Sequence, residues 1–421
     1  MDLIRFDLIL TVGLLLVVGA AFGWLAVRLR LPRISGFILA GVLLSPSVLP
    51  ILDRQTVNDL TTPGLVLLAV IGFAIGCSIR FKDLSGLGRA VSSITAWQGM
   101  LAWGLTIALL APFGAWLYGG SNTGVTAQQA LVLAFLLGAI AWPTAPAVVL
   151  ALVRETRSRG QLTTVTLSIV ALSDVLAVVA FGLSLEIARA MLQGDTVFSW
   201  ATAVGVPTIK LLGALGFGSV LGAGLAIGSR IMPARGTLRM AATLGAILLC
   251  VWGANAFGFS LILSTMTMGI VAVNLRGESM GAAIEPLEGM VFLLFFVISG
   301  LFFELDAIDS IWLLAILITI ARCSGKGFGA WFGAKLAHAP ANLRSNIGFM
   351  LLPKAGLTMG LAFITRDTLG EPFGSLLFNA LLLSTLINMA FTPPLAKWAL
   401  SRSGETGAMD RTEGHKGTSN P

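Results

Sequence analysis

Residues 165–185 read VTLSIVALSDVLAVVAFGLSL, an apolar run that contains a single charged side chain, Asp174. About 20 apolar residues suffice to cross a bilayer as a helix, so the stretch predicts a membrane span. A charge at this depth costs roughly 2.5–3.5 kcal/mol, and it persists where it lines an ion or proton path or meets a partner. Asp174 is therefore the first candidate site residue. The alternative is a permanent pair with a basic residue that only holds helices together.

The rest of the chain has the same apolar character. Of its 421 residues, 56% are hydrophobic and 11% are charged, and the mean hydropathy is +0.91. Hydrophobic stretches of spanning length recur from one end to the other, which predicts an all-α polytopic membrane protein. Without a long polar block there is no soluble catalytic domain, so we do not expect an enzyme.

Cysteine and histidine are too scattered to build a resident metal site. Cys77, Cys250 and Cys323 fall in three separate hydrophobic segments, which excludes a disulfide framework or a thiolate cage. His338 and His415 are the only histidines, one in a loop and one near the end of the chain. We expect no cofactor.

Charged residues and Pro- or Gly-containing breaks divide the chain into thirteen predicted spans. Their bounds are 7–28, 34–51, 62–79, 90–118, 128–153, 161–188, 203–229, 238–257, 259–275, 286–303, 309–334, 346–365 and 373–399. The first 400 residues form the transmembrane domain. Residues 401–421, rich in Gly, Ser and Thr, predict a short disordered cytoplasmic tail.

The basic residues lie mainly on one side of this arrangement. Nineteen of the 27 Lys and Arg residues fall in one set of alternate loops and the tail, four fall in the other set, and four lie within spans. Cytoplasmic loops carry the excess of basic residues, so the N-terminus is predicted outside and the C-terminus in the cytoplasm of the inner membrane. The net charge of +7 is thus a topology signal, and no nucleic-acid partner is needed to explain it.

Two predicted spans are interrupted. Residues 141–146 read AWPTAP, with Pro143 and Pro146 near the middle of the fifth span, and residues 352–356 read LPKAG, with Pro353 and Lys354 in the twelfth. Each proline removes a backbone donor and frees carbonyls of the preceding turn. The alternative is that these prolines are kinks without a function, which membrane helices tolerate.

The interruptions occupy matching places. If 203–229 is a linker helix, residues 7–190 and 238–400 form two inverted repeats of six spans, and each interruption falls in the fifth span of its repeat. Interrupted helices at matching places in inverted repeats point to a binding site near the bilayer midplane.

Six short stretches, in order, resemble sodium/hydrogen exchanger domains. They are LPRISGFILAG at 31–41, GAIAWPTAPAVV at 138–149, LSDVLAVV at 172–179, FFVISGL at 295–301, GKGFG at 325–329 and LLPKAG at 351–356. The likeness extends over about residues 8–400 and is nearest to the potassium-efflux branch of the monovalent cation:proton antiporters. It implies crossed broken helices 5 and 12, a homodimer and an elevator-like movement.

The residues suit antiporter chemistry on their own terms. An antiporter needs one group that binds either a proton or a small cation, and a carboxylate does both through oxygen. Asp174 can therefore carry either one. Thr144, its neighbouring freed carbonyls and Ser173 are candidate additional oxygen ligands for the transported monovalent cation, which is the only metal ion expected.

Basic residues supply candidate charge partners. Arg322 and Lys326 lie four residues apart and share one helix face. The resemblance implies that Lys326 pairs with Asp174 or another core carboxylate when no cation is bound. Arg322 is expected to reach instead toward helix ends. The resemblance also places Lys354 where the family commonly has Arg, which suggests that Lys354 neutralises freed carbonyls or the terminus of the partner helix. The alternative is that Arg322 and Lys326 snorkel to an interface or stabilise the fold without titrating.

These features predict a secondary antiporter that exchanges Na⁺ or K⁺ for H⁺, with membrane lipid and a second copy of the chain as partners. A single core carboxylate predicts electroneutral exchange. The main alternative is a sodium-coupled organic-solute symporter of a related inverted-repeat fold, because interrupted helices suit it equally well. The residues leave the choice between Na⁺ and K⁺ open, since cavity size and ligand distances decide it.

Overall fold

The computed structural model describes residues 8–29, 31–77, 79, 88–112, 126–192, 200–231, 236–277, 280–354 and 356–407. Over these ranges the secondary structure is helical and contains no strand, which confirms the predicted all-α class. The helices are α1 Leu8–Arg28, α2 Arg33–Leu44, α3 Arg54–Asp59, α4 Thr61–Cys77, α5 Arg89–Leu110, α6 Ala127–Ile140, α7 Pro146–Glu155, α8 Gln161–Leu192, α9 Trp200–Gly228, α10 Thr237–Phe257, α11 Leu261–Arg276, α12 Glu285–Leu301, α13 Ile308–Leu336, α14 Ala341–Met350, α15 Gly356–Leu369 and α16 Phe373–Ser403. Each of the thirteen predicted spans overlaps at least one of them.

Many of these helices are long and apolar enough to cross a bilayer. In the described ranges, eight helical segments meet that length and composition, among them α1, α5, α8 and α16. Helices α2, α6 and α11 are apolar but shorter. The chain is therefore a multi-pass membrane protein, while the number of spans and the inverted repeats stay predictions.

The chain divides into two compact units. Unit 1 comprises Met1–Lys82, Val178–Asp309 and Phe363–Leu382. Within it α11 packs against α4 and α9, and α2 packs against α1 and α12. The α2–α12 contact is close because Gly41 and Gly300 face each other: a Cβ built on either would lie 2.8 Å from the other's Cα.

Unit 2 comprises Asp83–Ala177, Ser310–Ala362 and Leu383–Pro421, and it contains every candidate site residue. Its helices α5 and α13 approach through a stripe of glycines, Gly325, Gly329 and Gly333, spaced four residues apart. A Cβ on any of the three would lie 2.5–2.7 Å from backbone atoms of α5. Small residues at this spacing let two membrane helices touch backbone to backbone.

Both predicted interruptions of unit 2 are breaks in the helix. Helix α6 ends at Ile140 and α7 begins at Pro146, whereas α14 ends at Met350 and α15 begins at Gly356. A proline is tolerated at the first position of a helix, where its missing N–H would have no partner in the helix. We call residues 141–145 the first break and residues 351–355 the second break; Ala355 lies outside the described residues.

Two differences from the predicted bounds lie at α2 and at the end of α16. Helix α2 ends at Leu44 instead of 51, because Ser45 leaves the helical conformation and its hydroxyl donates to the Phe303 carbonyl at 2.5 Å. The predicted disordered tail begins inside α16, which runs to Ser403.

Residues just beyond α16 are ordered as well. The Glu405 carboxylate accepts hydrogen bonds from the backbone N–H of Leu162 at 2.6 Å and of Thr163 at 2.9 Å, and the Thr163 hydroxyl donates to it at 2.7 Å. These donors are at the start of α8, where backbone N–H groups have no partner in the helix. Residues 401–407 therefore depart from the predicted disorder, and residues 408–421 lie outside the described ranges.

Candidate functional site

The first and second breaks contact each other directly. The backbone N–H of Ala145 donates to the Pro353 carbonyl at 3.0 Å, and the Thr144 hydroxyl donates to the Leu351 carbonyl at 3.2 Å. Backbone groups that the breaks remove from helical pairing thus find partners across the contact. The two interrupted segments, more than 200 residues apart in sequence, form one site.

Arg322 on α13 holds both breaks at once. One guanidinium nitrogen donates to the Leu352 carbonyl and the other to the Pro143 carbonyl, each at 2.6 Å. The side chain is completely buried. Its planar fork suits two carbonyls in fixed positions, so Arg322 acts as a clasp on the freed carbonyls. The Lys354 ammonium, for which the resemblance suggests this role, instead donates to Ser384.

Lys326 lies one helical turn beyond Arg322 and is also completely buried. Its ammonium donates to the Thr144 hydroxyl at 2.6 Å. Because that hydroxyl in turn donates to Leu351, Thr144 links the Lys326 charge to the second break. In this structure the ammonium therefore hydrogen bonds to Thr144 and not to a carboxylate.

Asp174 on α8 is completely buried, and it is the only Asp or Glu in the described residues of which this is true. Lys326 and the backbone N–H of Thr144 are its electrostatic neighbours. Neither carboxylate oxygen accepts a hydrogen bond of normal geometry from the described residues. Such a carboxylate is rare, because buried polar groups are nearly always paired. Its oxygens are therefore available to bind a proton or a cation.

Ser173, the neighbour of Asp174, is held by a residue that the sequence reading missed. The Gln98 amide on α5 donates to the Ser173 hydroxyl oxygen at 2.9 Å, and both side chains are completely buried. The only signal in the sequence is a polar amide within a predicted span, where polar groups serve as contacts between helices. Helix α5 thus belongs to the site.

Lys354 forms a second buried cluster with α13 and α16. Its ammonium donates to the Ser384 hydroxyl at 2.9 Å, and its backbone N–H donates to the Asn388 side-chain oxygen at 3.0 Å. The Ser384 hydroxyl also shares a 2.8 Å hydrogen bond with that of Thr319. Lys354 therefore fastens the second break to α16, while Arg322 binds the freed carbonyls.

Prolines shape the breaks without direct chemistry. Pro143 and Pro353 lie in non-helical backbone, and each offers a carbonyl that is used, one by Arg322 and the other by Ala145. Pro146 begins α7. In the described part of the chain, no three His, Cys, Asp or Glu side chains cluster in a way that could hold a resident metal.

One further ion pair lies elsewhere. Within unit 1, Lys210 on α9 donates to Glu186 on α8 at 2.8 Å, and both are about a quarter exposed. The pair borders a cavity of about 220 Å³ that is also lined by Asn255 and Asp367. None of the candidate site residues lines this cavity.

Solved structures of known proteins share this fold. The sodium proton antiporter MjNhaP1 from Methanocaldococcus jannaschii superposes with a TM-score of 0.69 over 95% of this chain and 98% of its own, at 16% sequence identity. An electron microscopy map of the same antiporter gives a TM-score of 0.66. At such low identity the likeness establishes the fold alone.

Curated proteins match at the level of sequence. The Na⁺/H⁺-K⁺ antiporter GerN of Bacillus cereus is 22% identical over 94% of this chain and 96% of its own length. A glutathione-regulated potassium-efflux system protein of Haemophilus influenzae is 24% identical over 88% of this chain, but the match spans only 57% of that protein.

The family model described as sodium/hydrogen exchanger, transmembrane, matches residues 13–398, nearly the whole chain. That family consists of transporters and not of enzymes. Both the family match and the curated relatives confirm the resemblance found in the sequence. This chain belongs to the sodium/hydrogen exchanger family.

Proposed function

We propose that the protein is a secondary antiporter that exchanges a monovalent cation, Na⁺ or K⁺, for H⁺ at Asp174. The observation that carries the proposal is the completely buried carboxylate, neither oxygen of which accepts a hydrogen bond of normal geometry from the described residues. A carboxylate oxygen binds a proton or an alkali cation, and the two exclude each other. Competition at a single group is sufficient for coupled exchange.

Lys326 stabilises the site when Asp174 binds neither H⁺ nor a cation. Its ammonium donates a hydrogen bond to Thr144, and its charge acts on the Asp174 carboxylate. When neither H⁺ nor a cation is bound, a buried carboxylate needs an opposite charge nearby. We infer that Lys326 supplies it and that cation binding displaces this interaction.

The remaining residues build the binding place. Thr144 and Ser173 supply hydroxyl oxygens, and Arg322 keeps the two breaks together through Pro143 and Leu352. The prolines prevent continuous helices there, which leaves irregular backbone in the site. Lys354 keeps the second break on α16.

Several broader features belong to the same proposal. Exchange is electroneutral, because Asp174 is the one completely buried acid of the described chain. The two repeats are related by inversion, and the protein works as a homodimer by elevator-type alternating access. The protein lies in the cytoplasmic membrane with its N-terminus outside and its C-terminus in the cytoplasm, as the loop charges indicate.

Reconstitution tests the central claim. Purified protein in liposomes with an acid-sensing dye inside should respond to Na⁺, K⁺, Li⁺ or Rb⁺ gradients, and Asp174→Asn should reduce the response to that of empty liposomes. Asn keeps the shape of the side chain but can neither take up a proton nor supply a full negative charge. The matched control is Asp59→Asn, at an exposed position of α3, which should exchange like wild type.

Two results would contradict this function. Undiminished exchange by Asp174→Asn would remove the carboxylate from the mechanism. A proton or sodium movement that required an added organic solute would instead identify a sodium-coupled symporter.

A further inference from the structure

Gln98 lies where three elements of the site meet. Its side chain donates to Ser173 on α8 at 2.9 Å. Its backbone touches α13, since a Cβ on Gly329 would lie 2.7 Å from the Gln98 Cα. A Cβ built on the next residue, Gly99, would overlap the indole of Trp142 in the first break. Gln98 is thus fixed among the elements that carry Asp174, Lys326 and Thr144.

The orientation of the Gln98 amide follows from its contacts. The nitrogen Nε2 reaches the Ser173 hydroxyl and also the Thr95 carbonyl, at 3.3 Å. A backbone carbonyl accepts hydrogen bonds but cannot donate one, so the amide nitrogen and not the oxygen must face Thr95. Both amide hydrogens are therefore in use, and the side-chain oxygen Oε1 points elsewhere.

That oxygen has no partner in the described residues, although it is completely buried. The same is true of both Asp174 oxygens, one residue from the Ser173 that Gln98 holds. Buried acceptors without a donor are uncommon and call for an explanation. Buried oxygens that accept no hydrogen bond of normal geometry suit a hard cation, which binds oxygen and needs no hydrogen.

We propose that Gln98 is a specificity-determining residue of the cation site: its carbonyl oxygen contributes to the bound alkali cation, and its amide fixes the Ser173 hydroxyl beside Asp174. The inference rests on the proposed exchange at Asp174 and adds the feature that selects among cations. Selectivity among alkali ions depends on the number of oxygen ligands and on how strongly each one attracts charge. A neutral carbonyl attracts more weakly than a carboxylate, so it favours the larger ions.

Two substitutions separate this role from a structural one. Gln98→Leu removes the oxygen and the donor at similar size, and Gln98→Glu keeps an oxygen but adds charge and removes the N–H that donates to Ser173. Both should shift the cation preference of the exchanger away from K⁺ and Rb⁺ toward Na⁺ and Li⁺. Gln98→Leu does so because the cation loses one oxygen ligand, and Gln98→Glu because a carboxylate attracts the cation more strongly than an amide oxygen. We expect the ratio of apparent affinities for K⁺ and Na⁺ to change at least about fivefold, as for loss of one buried polar contact.

The control is Thr106→Val, two turns along the same face of α5. Thr106 is completely buried and its hydroxyl bonds to Ala102 of its own helix at 2.7 Å. It should leave the ratio within about twofold of wild type, the range expected of a substitution away from the site. We use the ratio of apparent affinities for K⁺ and Na⁺ because a loss of stability lowers the exchange of all cations equally and leaves this ratio unchanged. Protection of detergent-purified protein from heat by each cation gives a second measure that does not need transport.

The outcomes are distinct. An unchanged ratio in both Gln98 variants, with wild type active and Asp174→Asn inactive, overturns the role of Gln98 alone. If Gln98→Leu does not fold, Gln98→Glu decides. A wild type that exchanges no alkali cation overturns the proposed function, and the role of Gln98 falls with it.

Discussion

Asp174, Lys326 and Thr144 illustrate what single residues reveal before the fold is known. A charge in an apolar run is costly, so Asp174 and Lys326 point to a function or a contact, and Thr144 stands out because prolines lie close to it on both sides. The structure brings all three together around the two breaks. Their roles in transport stay predictions until they are measured.

The roles of other site residues could not be predicted, because each role depends on a contact with a residue that is distant in sequence. Gln98 and Ser173 are 75 residues apart, and Lys354 and Ser384 are 30 apart. A Gln or Ser in a helix is unremarkable in sequence, since it is inexpensive to bury when it finds a partner. Only the folded backbone decides which hydroxyl meets which ammonium.

Thr144 offers a test at this scale. Thr144→Val keeps the shape but removes both the acceptor for Lys326 and the donor to Leu351, leaving buried polar groups without partners. We expect a loss of about 1–3 kcal/mol in the free energy of unfolding, measured as a lower midpoint of heat-induced aggregation in detergent.

The matched control is Thr166→Val on α8. Thr166 is just as buried, but its hydroxyl donates to the Leu162 carbonyl of its own helix and connects no other element that the structure describes. This variant should lose much less stability. Equal losses in the two variants would show that the Thr144 contacts add nothing beyond an ordinary buried hydroxyl.

At the scale of elements, apolar runs and prolines predicted where helices lie and where two of them break. The ends were less predictable, because they depend on distant contacts such as that of Ser45 with Phe303. The contact of α5 with α13 has a visible basis in the glycine stripe, but a stripe of small residues does not name its partner helix.

The stripe can be tested with two glycines that flank Lys326. A Cβ on Gly325 would lie 2.5 Å from the Ala102 Cα, whereas one on Gly327 would meet no atom within 4 Å. Gly325→Ala should therefore force α5 and α13 apart and cost about 1–3 kcal/mol. Gly327→Ala should be neutral or stabilise the helix by up to about 1 kcal/mol. Thermal unfolding of the two purified variants compares them, and an equal response would contradict close packing at Gly325.

Glu405 caps the helix that carries Asp174. Glu405→Ala should cost about 0.5–2 kcal/mol at the α8 start, as for loss of a helix cap, and should free the adjoining tail. Limited proteolysis with a nonspecific protease, read by mass spectrometry, should then cut faster within residues 401–407. Gln161→Ala, an exposed change at the same helix start, is the control. A cutting rate equal to that of wild type would rule out a restraint by Glu405.

For the whole molecule, composition predicted the all-α membrane class and the ordered motifs predicted the family, and both are confirmed. These properties are distributed over hundreds of residues, so no single contact had to be known. The number of spans, the orientation and the dimer depend on surroundings absent from the chain itself, and they remain predictions.

Stoichiometry is a property of the whole transport cycle. If one H⁺ is exchanged for one monovalent cation, no net charge crosses the bilayer and the membrane potential does no work on the cycle. With Na⁺ as the test cation, clamping the potential at zero with valinomycin and equal K⁺ should leave the exchange rate unchanged. A faster rate under the clamp, or a measurable current, would refute electroneutral exchange.

The Arg322 clasp has a mechanical consequence. Two short charged hydrogen bonds tie the carbonyls of Pro143 and Leu352 to one rigid fork, and the fork is anchored in α13. Separating the first break from the second would leave a buried guanidinium without one of these acceptors. The free-energy cost of an unpaired buried charge is large, so such a separation is rare. Whatever displacement carries the ion from one side to the other, the two interruptions must travel as a single piece, and the opening and closing must happen around them.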